Sequence, residues 1–84
     1  MAEFYLYILY SDTRDKYYVG SCDSLERRLA DHNAGRSSFT RTGKPWKLKY
    51  HEIYKSRSEA RSRELEVKKK KSRKYIEYLI SEAG

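Results

Sequence analysis

The chain has 84 residues, which predicts one domain over residues 1–84 with a core at about residues 4–80. Lysine and arginine number 19 against 12 acidic residues, and this net charge of +7 favours polyanionic partners. Together with 9 tyrosines, it is the composition that a nucleic-acid-binding surface needs. A single cysteine excludes an internal disulfide and a cysteine-based zinc site, and no signal peptide or membrane span is expected, so we predict a cytoplasmic location.

The first predicted element is a strand at residues 4–10, whose two faces both carry aromatic or branched side chains. This pattern is typical of a strand in the middle of its sheet. A polar turn at residues 11–15 leads into a second strand at 16–20, which predicts a hairpin. The hairpin places Tyr7 and Tyr18 opposite or diagonal to each other, and Gly20 leaves a bare patch that a backbone or a phosphate can approach.

A first helix is expected to begin at a cap supplied by Asp23 or Ser24 and to end at Gly35. Its spacing places Arg28 and His32 on one stripe, at the edge of a face that packs beside the sheet. Arg28 suits a phosphate, although from the residue alone a surface arginine, paired or unpaired, is the simpler explanation. His32 is either a group that moves a proton or holds a phosphate, or a partly exposed residue that interacts favourably with the helix dipole.

A loop at residues 36–45 is rich in positive charge, and Arg41, with Phe39 and Trp46 near it, is a candidate contact for unpaired bases. Trp46, which follows Pro45 and opens the next strand, is also expected in the core. That strand, at residues 46–55, carries Lys47 and Lys49 on one face, which is typical of an edge strand.

A capping box at residues 56–59 opens the second helix, in which Ala60, Glu64 and Val67 share one stripe. A glutamate in an apolar stripe is unusual unless it is paired or binds a metal. One carboxylate with water ligands is a normal protein contribution to a Mg²⁺ site. The alternative is an ion pair between Glu64 and Lys68, one helical turn later.

The second helix runs into a group of lysines that neutralises phosphates without reading bases, namely Lys68, Lys69, Lys70 and Lys71. Ser72 breaks or recaps the helix, and a third helix follows at residues 73–83. The order β-β-α-β-α-α predicts an α+β fold, with a small three-stranded antiparallel sheet flanked by helices.

Five stretches of the sequence together resemble the GIY-YIG nuclease domain, as found in short bacterial single-domain proteins and in the catalytic domains of excinucleases and homing endonucleases. They are Tyr5-Leu6-Tyr7, Tyr18-Val19-Gly20, Glu26-Arg27-Arg28 with His32, Glu59-Ala60, and Glu64. The first tripeptide has Tyr5 where the family name has glycine. The resemblance covers roughly residues 4–80.

The resemblance implies a three-stranded sheet and a metal-dependent endonuclease that hydrolyses phosphodiester bonds with one Mg²⁺ or Mn²⁺ ion. It implies that Tyr18 activates or orients the attacking water, with Tyr7 as its partner. It further implies that Arg28 holds the scissile phosphate, that Glu64 binds the metal and that His32 assists as an acid or a base.

DNA is the expected substrate, in repair or processing, with selectivity for structure rather than sequence. No separate DNA-binding domain is predicted, so targeting is expected to come from this domain or from a protein partner. A nucleic-acid binding module with the same fold but no turnover remains the alternative, as does a protein whose charge serves only to keep it in solution.

Overall fold

The computed structural model describes residues 3–36, 38 and 40–83. Three strands and three α-helices follow one another in the predicted order, with one short 3₁₀ helix before the third strand. They are β1 (Phe4–Ser11), β2 (Lys16–Cys22), α1 (Leu25–Asn33), the 3₁₀ helix (Arg41–Gly43), β3 (Trp46–Tyr54), α2 (Arg57–Lys70) and α3 (Arg73–Ala83). The predicted α+β class is therefore confirmed. Within the described ranges, no helix is long and apolar enough to cross a membrane.

The sheet has the order β2-β1-β3, and both neighbours run antiparallel to β1. The prediction that the first strand is central is confirmed, since Leu6, Ile8 and Leu9 have no exposed surface. The prediction of an edge position for β3 is confirmed as well. Because β2 forms the other edge, its outer side is free of strand partners in the sheet.

The alternating side chains of β1 divide the core into two layers. Leu6 and Ile8 pack with Val67 of α2 and Leu79 of α3 on one face, which we call the α2 face. Tyr7 and Leu9 point to the opposite face and pack with Trp46 and the side chains of α1, and we call this the α1 face. The central sheet is therefore covered by helices on both sides.

A β-bulge in β3 changes which side chains face each layer. Tyr50 pairs with Ile8, but Leu48 pairs with Leu9, so Lys49 is the extra residue. Leu48 packs on the α1 face, whereas Tyr50 and Tyr54 pack on the α2 face. Without the bulge, residues separated by two along the strand would share one face.

The redirected end of β3 forms a polar cluster with α2. Glu52 accepts hydrogen bonds from Nε and Nη2 of Arg63 at 2.9 and 3.1 Å, and from the hydroxyl groups of Tyr50 and Tyr54. Burial alone would raise the pKa of Glu52, but the bonds from Arg63 and the two tyrosines outweigh it and hold this pKa below its usual value. The cluster fixes α2 against the sheet.

Local caps explain where the helices begin and end. Of the two expected caps for α1, Ser24 is the one that accepts the backbone N–H of Arg27, at 3.3 Å. Gly35 follows the helix with a φ of 78°, in the left-handed region. At the α2–α3 corner, Lys71 has a φ of 48° and the hydroxyl of Ser72 accepts the backbone N–H of Tyr75. The predicted recapping at Ser72 is confirmed.

Candidate active site

The α1 face of the sheet holds a buried chain of hydrogen-bonding side chains. The hydroxyl oxygen of Tyr7 lies 3.0 Å from Nε2 of His32, and Nδ1 of His32 lies 2.6 Å from the hydroxyl oxygen of Thr40. His32 and Thr40 have no exposed surface, and Tyr7 is 2% exposed. Thr40 is held in turn by Nε1 of Trp46, which donates to its carbonyl at 2.6 Å. This chain ties β1 to α1 and to the loop beyond it.

Burial sets the protonation states of Tyr7 and His32 in this series of hydrogen-bonded side chains. Burial raises the pKa of Tyr7 to about 12, although the nearby guanidinium of Arg28 partly offsets the rise. Burial, assisted by the positive charge of Arg28, lowers the pKa of His32 below its ordinary value. At neutral pH Tyr7 is therefore a phenol and His32 a neutral imidazole.

The expectation that His32 presents its ring at the edge of the helix is wrong. The ring is fully buried, and both nitrogens are already hydrogen-bonded within the protein. The prediction that His32 shares one helix face with Arg28 is correct. That face lies deeper against the sheet at His32 than the helical spacing alone indicates. A role for His32 as an acid or a base stays a prediction.

The bare patch expected at Gly20 is filled by Tyr7. Gly20 pairs with Tyr7 across the β1–β2 ladder, and a Cβ atom at Gly20 would lie 2.5 Å from the Tyr7 hydroxyl oxygen. The glycine therefore makes room for a phenol ring of the protein itself, rather than for a backbone or a phosphate. The space was predicted correctly, and its occupant was not.

Tyr18 differs from Tyr7 in environment although the two rings are neighbours. Tyr18 pairs with Leu9, so it is diagonal to Tyr7, with ring centroids 6.3 Å apart. Its ring lies 4.9 Å from that of His32. Tyr18 is only partly buried, and in the described part of the chain its hydroxyl has no hydrogen-bond partner. It is the phenol that a substrate or water can reach.

Arg28 lies beside this phenol pair. Its Nη1 is 3.7 Å from Oδ2 of Asp31, while the carboxylate of Asp31 bonds more closely with Arg36, at 2.7 Å. The neighbouring hydroxyl of Tyr7 raises the pKa of Arg28, so the guanidinium stays charged. Its side chain is 34% exposed, which leaves it accessible to an anion.

Glu64 approaches from the α2 face and is 5% exposed. Its Oε1 accepts the hydroxyl of Ser21 at 2.6 Å, and Nζ of Lys68 lies 2.6 Å from Oε2. The ion pair with Lys68 that the sequence offered as an alternative is therefore present. Arg61 adds a longer ion pair of 3.7 Å. Binding of a metal by Glu64 stays a prediction.

Lys68 connects Glu64 to the phenol pair. Its Nζ lies 5.8 Å from the centroid of the Tyr18 ring while it contacts Glu64. Tyr18 lies on the edge strand β2, so its ring can be approached from either side of the sheet. The site thus wraps around the open edge of β2, with Tyr18 and Arg28 from the α1 face and Glu64 from the α2 face.

The donor set around Glu64 fits one hard cation with water ligands. Over residues 3–36, 38 and 40–83, no group of three or more histidine, cysteine, aspartate or glutamate side chains is placed to hold a metal. Glu64 nevertheless supplies a buried carboxylate, with the hydroxyl oxygen of Ser21 beside it. Mg²⁺ is commonly bound by one or two carboxylates and several waters, so these residues fit it.

The residues predicted to bind nucleic acid are not gathered in one place. Arg41 lies in the loop beyond α1, where its Nε donates to the carbonyl of Gly35 at 3.2 Å. The four lysines lie at the end of α2. Two of them, Lys68 and Lys71, line a groove that also contacts Tyr18. Lys69 and Lys70 line a separate depression with Glu66. Nucleic-acid binding by any of them stays a prediction.

Trp46 and Phe39, the aromatic side chains expected to stack on bases, have different outcomes. Trp46 is 6% exposed, and its indole is held by the carbonyl of Thr40, so the expectation of a core tryptophan is confirmed. Phe39 lies outside the described residues.

Two residues of the site were missed in the sequence. Thr40 lies in an irregular loop, and no spacing rule links it to His32. Ser21 had a detectable signal, since it follows Gly20 on the opposite face of β2, where the predicted stripe of Glu64 packs. Both hold the side chains of predicted site residues in place.

Comparisons with known proteins identify relatives of this chain. The GIY-YIG catalytic domain model matches residues 3–76. A UPF0213 protein of Staphylococcus haemolyticus is 41% identical over 69 residues, covering 81% of this chain and 83% of the relative. A UPF0213 protein of Streptococcus pneumoniae is 40% identical over 77 residues, covering 89% and 76%.

The solution NMR structure of a UPF0213 protein from Bacillus halodurans matches with a TM-score of 0.58 and 32% identity, covering 94% of this chain and 83% of that one. The family match spans β1 to the start of α3 and contains each of the tyrosine, arginine and glutamate side chains described above. This chain belongs to the GIY-YIG catalytic domain family.

Proposed function

We propose that this protein is a divalent-metal-dependent endonuclease that hydrolyses phosphodiester bonds in DNA. The observation that carries the proposal is the meeting of an accessible phenol, a charged guanidinium and a buried carboxylate at the edge of β2. Tyr18, Arg28 and Glu64 come from three different elements, and Lys68 links the last to the first. Membership in the GIY-YIG catalytic domain family supports the same chemistry.

Arg28 and Tyr18 are the residues proposed to contact the substrate. The guanidinium of Arg28 binds the scissile phosphate with its planar fork and stabilises the charge that grows on the phosphate oxygens. The hydroxyl of Tyr18, which has no hydrogen-bond partner among the described residues, orients the attacking water. Both groups are at least partly accessible, as contact with a substrate requires.

Tyr7 and His32 are proposed as positioning residues. With its pKa raised to about 12, Tyr7 keeps its proton at neutral pH and does not act as a base. Its ring is fixed by His32, and both rings pack against that of Tyr18. The buried chain from Tyr7 to Thr40 thereby holds Tyr18 and Arg28 at a fixed separation.

Glu64 is proposed to hold one Mg²⁺ or Mn²⁺ ion, with Ser21 and water beside it. Such an ion supplies positive charge to the phosphate and to the departing oxygen. Lys68 already neutralises Glu64 at 2.6 Å, so its ammonium group must move away when a cation binds. Because the Lys68 side chain is 46% exposed, it has room to move toward solvent or substrate.

A cleavage panel of single-stranded, duplex, flap and branched DNA tests the proposal. We expect nicking with Mg²⁺ or Mn²⁺ and loss of at least about a hundredfold in rate for Arg28→Lys or Glu64→Gln. Arg28→Lys keeps the positive charge but loses the planar fork that holds the phosphate, and Glu64→Gln removes the carboxylate charge that binds the metal. Arg27→Lys and Glu66→Gln, which change exposed neighbours on the same helices, serve as matched controls. Equal trace cleavage by wild type and Glu64→Gln refutes the proposal.

The same panel tests the finer parts of the proposal. Selectivity for branched or unpaired substrates, and hence a place in DNA repair or processing, is supported by basic side chains that contact phosphates and do not read the edges of bases. A protein partner that directs the enzyme to its substrate belongs to the same proposal. Equal rates on every substrate contradict structural selectivity.

A second function is favoured by the pairing of Glu64. The carboxylate is already neutralised by Lys68 and Arg61, so its burial does not require a bound cation. A nucleic-acid binding module that does not turn over its ligand is consistent with that pairing. It predicts salt-dependent binding that survives Glu64→Gln, together with no cleavage in any metal.

A further inference from the structure

A groove of about 410 Å³ opens beside the candidate active site, between β2 and the corner where α2 meets α3. Tyr18 is one of its lining residues, so the groove borders the position proposed for the scissile phosphate. Its rim carries four basic side chains and one acidic one. The basic side chains are Lys16, Lys68, Lys71 and Arg73.

The floor of the groove is apolar, which distinguishes it from a simple patch of positive charge. It is formed by Val19 of β2, Val67 of α2 and Ile76 of α3, which belong to the core layer on the α2 face. A duplex presents phosphates on its outside and needs only the cations. Two aromatic rings, those of Tyr17 and Tyr18, also line the groove. Aromatic rings and an apolar floor beside a cationic rim suit unpaired bases, which stack on the rings while their phosphates meet the rim.

The basic side chains of the rim differ in how far they are already neutralised. Arg73 is paired with Asp15 at 2.6 Å and with Glu77 at 3.2 Å, and it covers one face of the Tyr17 ring. Lys16 and Lys71 are exposed and, over the part of the chain that the structure describes, form no ion pair. These two lysines are therefore the cations available to an incoming phosphate.

We propose that this groove binds a short single-stranded segment of nucleic acid next to the scissile phosphate, with Lys16 and Lys71 as its phosphate contacts. The inference rests on the proposed function, since it names the form of substrate that the same site takes. Within the lysine run, Lys71 contacts the nucleic-acid strand, whereas Lys69 and Lys70 do not. It also gives Lys16, which lies outside the run, a role in binding.

The test measures binding by fluorescence anisotropy in the presence of a chelator, so that no cleavage occurs. The probes are a labelled oligothymidine, a blunt duplex of the same length, and an oligomer with the same phosphates but abasic sugars. The groove variant is Lys16→Gln with Lys71→Asn, since asparagine tolerates the left-handed backbone at that position. The matched control is Lys49→Gln with Lys55→Gln, two exposed lysines on β3 and just beyond its end, with the same change in net charge.

We expect the wild type to bind the single strand more tightly than the duplex and than the abasic oligomer. For the groove variant, the slope of log affinity against log salt should fall by roughly 1.4, about 0.7 for each phosphate that is no longer neutralised. The control should keep the wild-type slope. Equal weakening in the two variants, or equal binding of oligothymidine and duplex or of oligothymidine and abasic oligomer, overturns the inference.

Failure of this inference is distinguishable from failure of the proposed function. If the expected binding pattern appears but no metal supports cleavage, the groove is a binding site and the nuclease proposal is refuted. If cleavage depends on Glu64 but the groove variant binds like the control, the nuclease proposal stands and the groove does not hold the strand. Circular dichroism of both double variants shows that each is folded before its affinity is compared.

Discussion

Replacing Gly20 by alanine tests the packing that positions the two phenols. The added Cβ atom would lie 2.5 Å from the hydroxyl oxygen of Tyr7 and 2.6 Å from its Cζ. The Tyr7 ring is 2% exposed and hydrogen-bonded to His32, so it cannot yield without breaking that bond or shifting β2. Gly20→Ala therefore perturbs the site although it adds only one methyl group.

The expected loss of stability can be estimated from these contacts. Overpacking a core position costs about 1–3 kcal/mol, and loss of the Tyr7–His32 hydrogen bond adds about 0.5–1.5 kcal/mol. We therefore expect Gly20→Ala to lower the free energy of unfolding by roughly 2–4 kcal/mol. For a domain of this size that corresponds to a fall in Tm of roughly 10–25 °C.

Urea and thermal unfolding followed by circular dichroism measure this loss, and a double-mutant cycle identifies its cause. In a Tyr7→Leu background the ring is absent, so Gly20→Ala should change stability by less than about 0.5 kcal/mol. A Gly20→Ala protein as stable as wild type, or an equal penalty in both backgrounds, would refute the assignment of Gly20 as the space for Tyr7.

Three further predictions address charge. Glu52→Gln should lower the free energy of unfolding at pH 7 by about 1–3 kcal/mol, because Arg63 loses its partly buried counter-charge. Since the folded pKa of Glu52 is lowered, its contribution to stability is complete above about pH 4.3 and is lost as the pH falls through the folded pKa, which urea unfolding at pH 7 and pH 3 detects. The lowered pKa of His32 means that stability also declines as the pH falls below about 6.5, and an NMR titration should show its ring protonating below that value. Lys68→Gln should tighten binding of Mn²⁺, measured by electron paramagnetic resonance, because no ammonium competes for Glu64; unchanged or weaker binding contradicts that competition.

Much of the fold was predictable because several residues carry strong local signals. The two-sided apolar pattern of β1 placed it at the centre of the sheet, and the cap at Ser56 fixed the start of α2. The stripe of Ala60, Glu64 and Val67 was predicted as one face, and all three side chains are buried. These signals depend on neighbouring residues in the sequence, so they can be interpreted without knowledge of tertiary contacts.

The bulge in β3 was not predictable from the sequence. Trp46, Leu48, Tyr50, Glu52 and Tyr54 alternate without interruption with exposed residues, as in a regular strand. The structure nevertheless turns the first two toward the α1 face and the rest toward the α2 face. The position of the extra residue depends on how β3 pairs with β1. The alternation of buried and exposed side chains along β3 does not reveal that pairing.

The different environments of Tyr7 and Tyr18 were also not predictable from the sequence. Tyr7 and Tyr18 occur in similar tripeptides, and both were predicted as catalytic residues. Their environments separate them, since Tyr7 lies on the central strand under α1 and Tyr18 lies on an edge strand. Strand order is a tertiary property, so neither the spacing nor the residue types indicate which phenol water can reach.

The position of β2 at the sheet edge explains how one site draws on both layers of the domain. In a central strand, the side chains of Tyr18 and Ser21 would be separated by the sheet and its neighbouring strands. At an edge, Lys68 can contact Glu64 on one face and still lie over the Tyr18 ring on the other. The same edge borders the groove, so a bound strand would pass the phenol and the carboxylate together. An edge that is open to substrate must stay free of another strand, and the exposed charge of Lys16 at its start opposes such pairing.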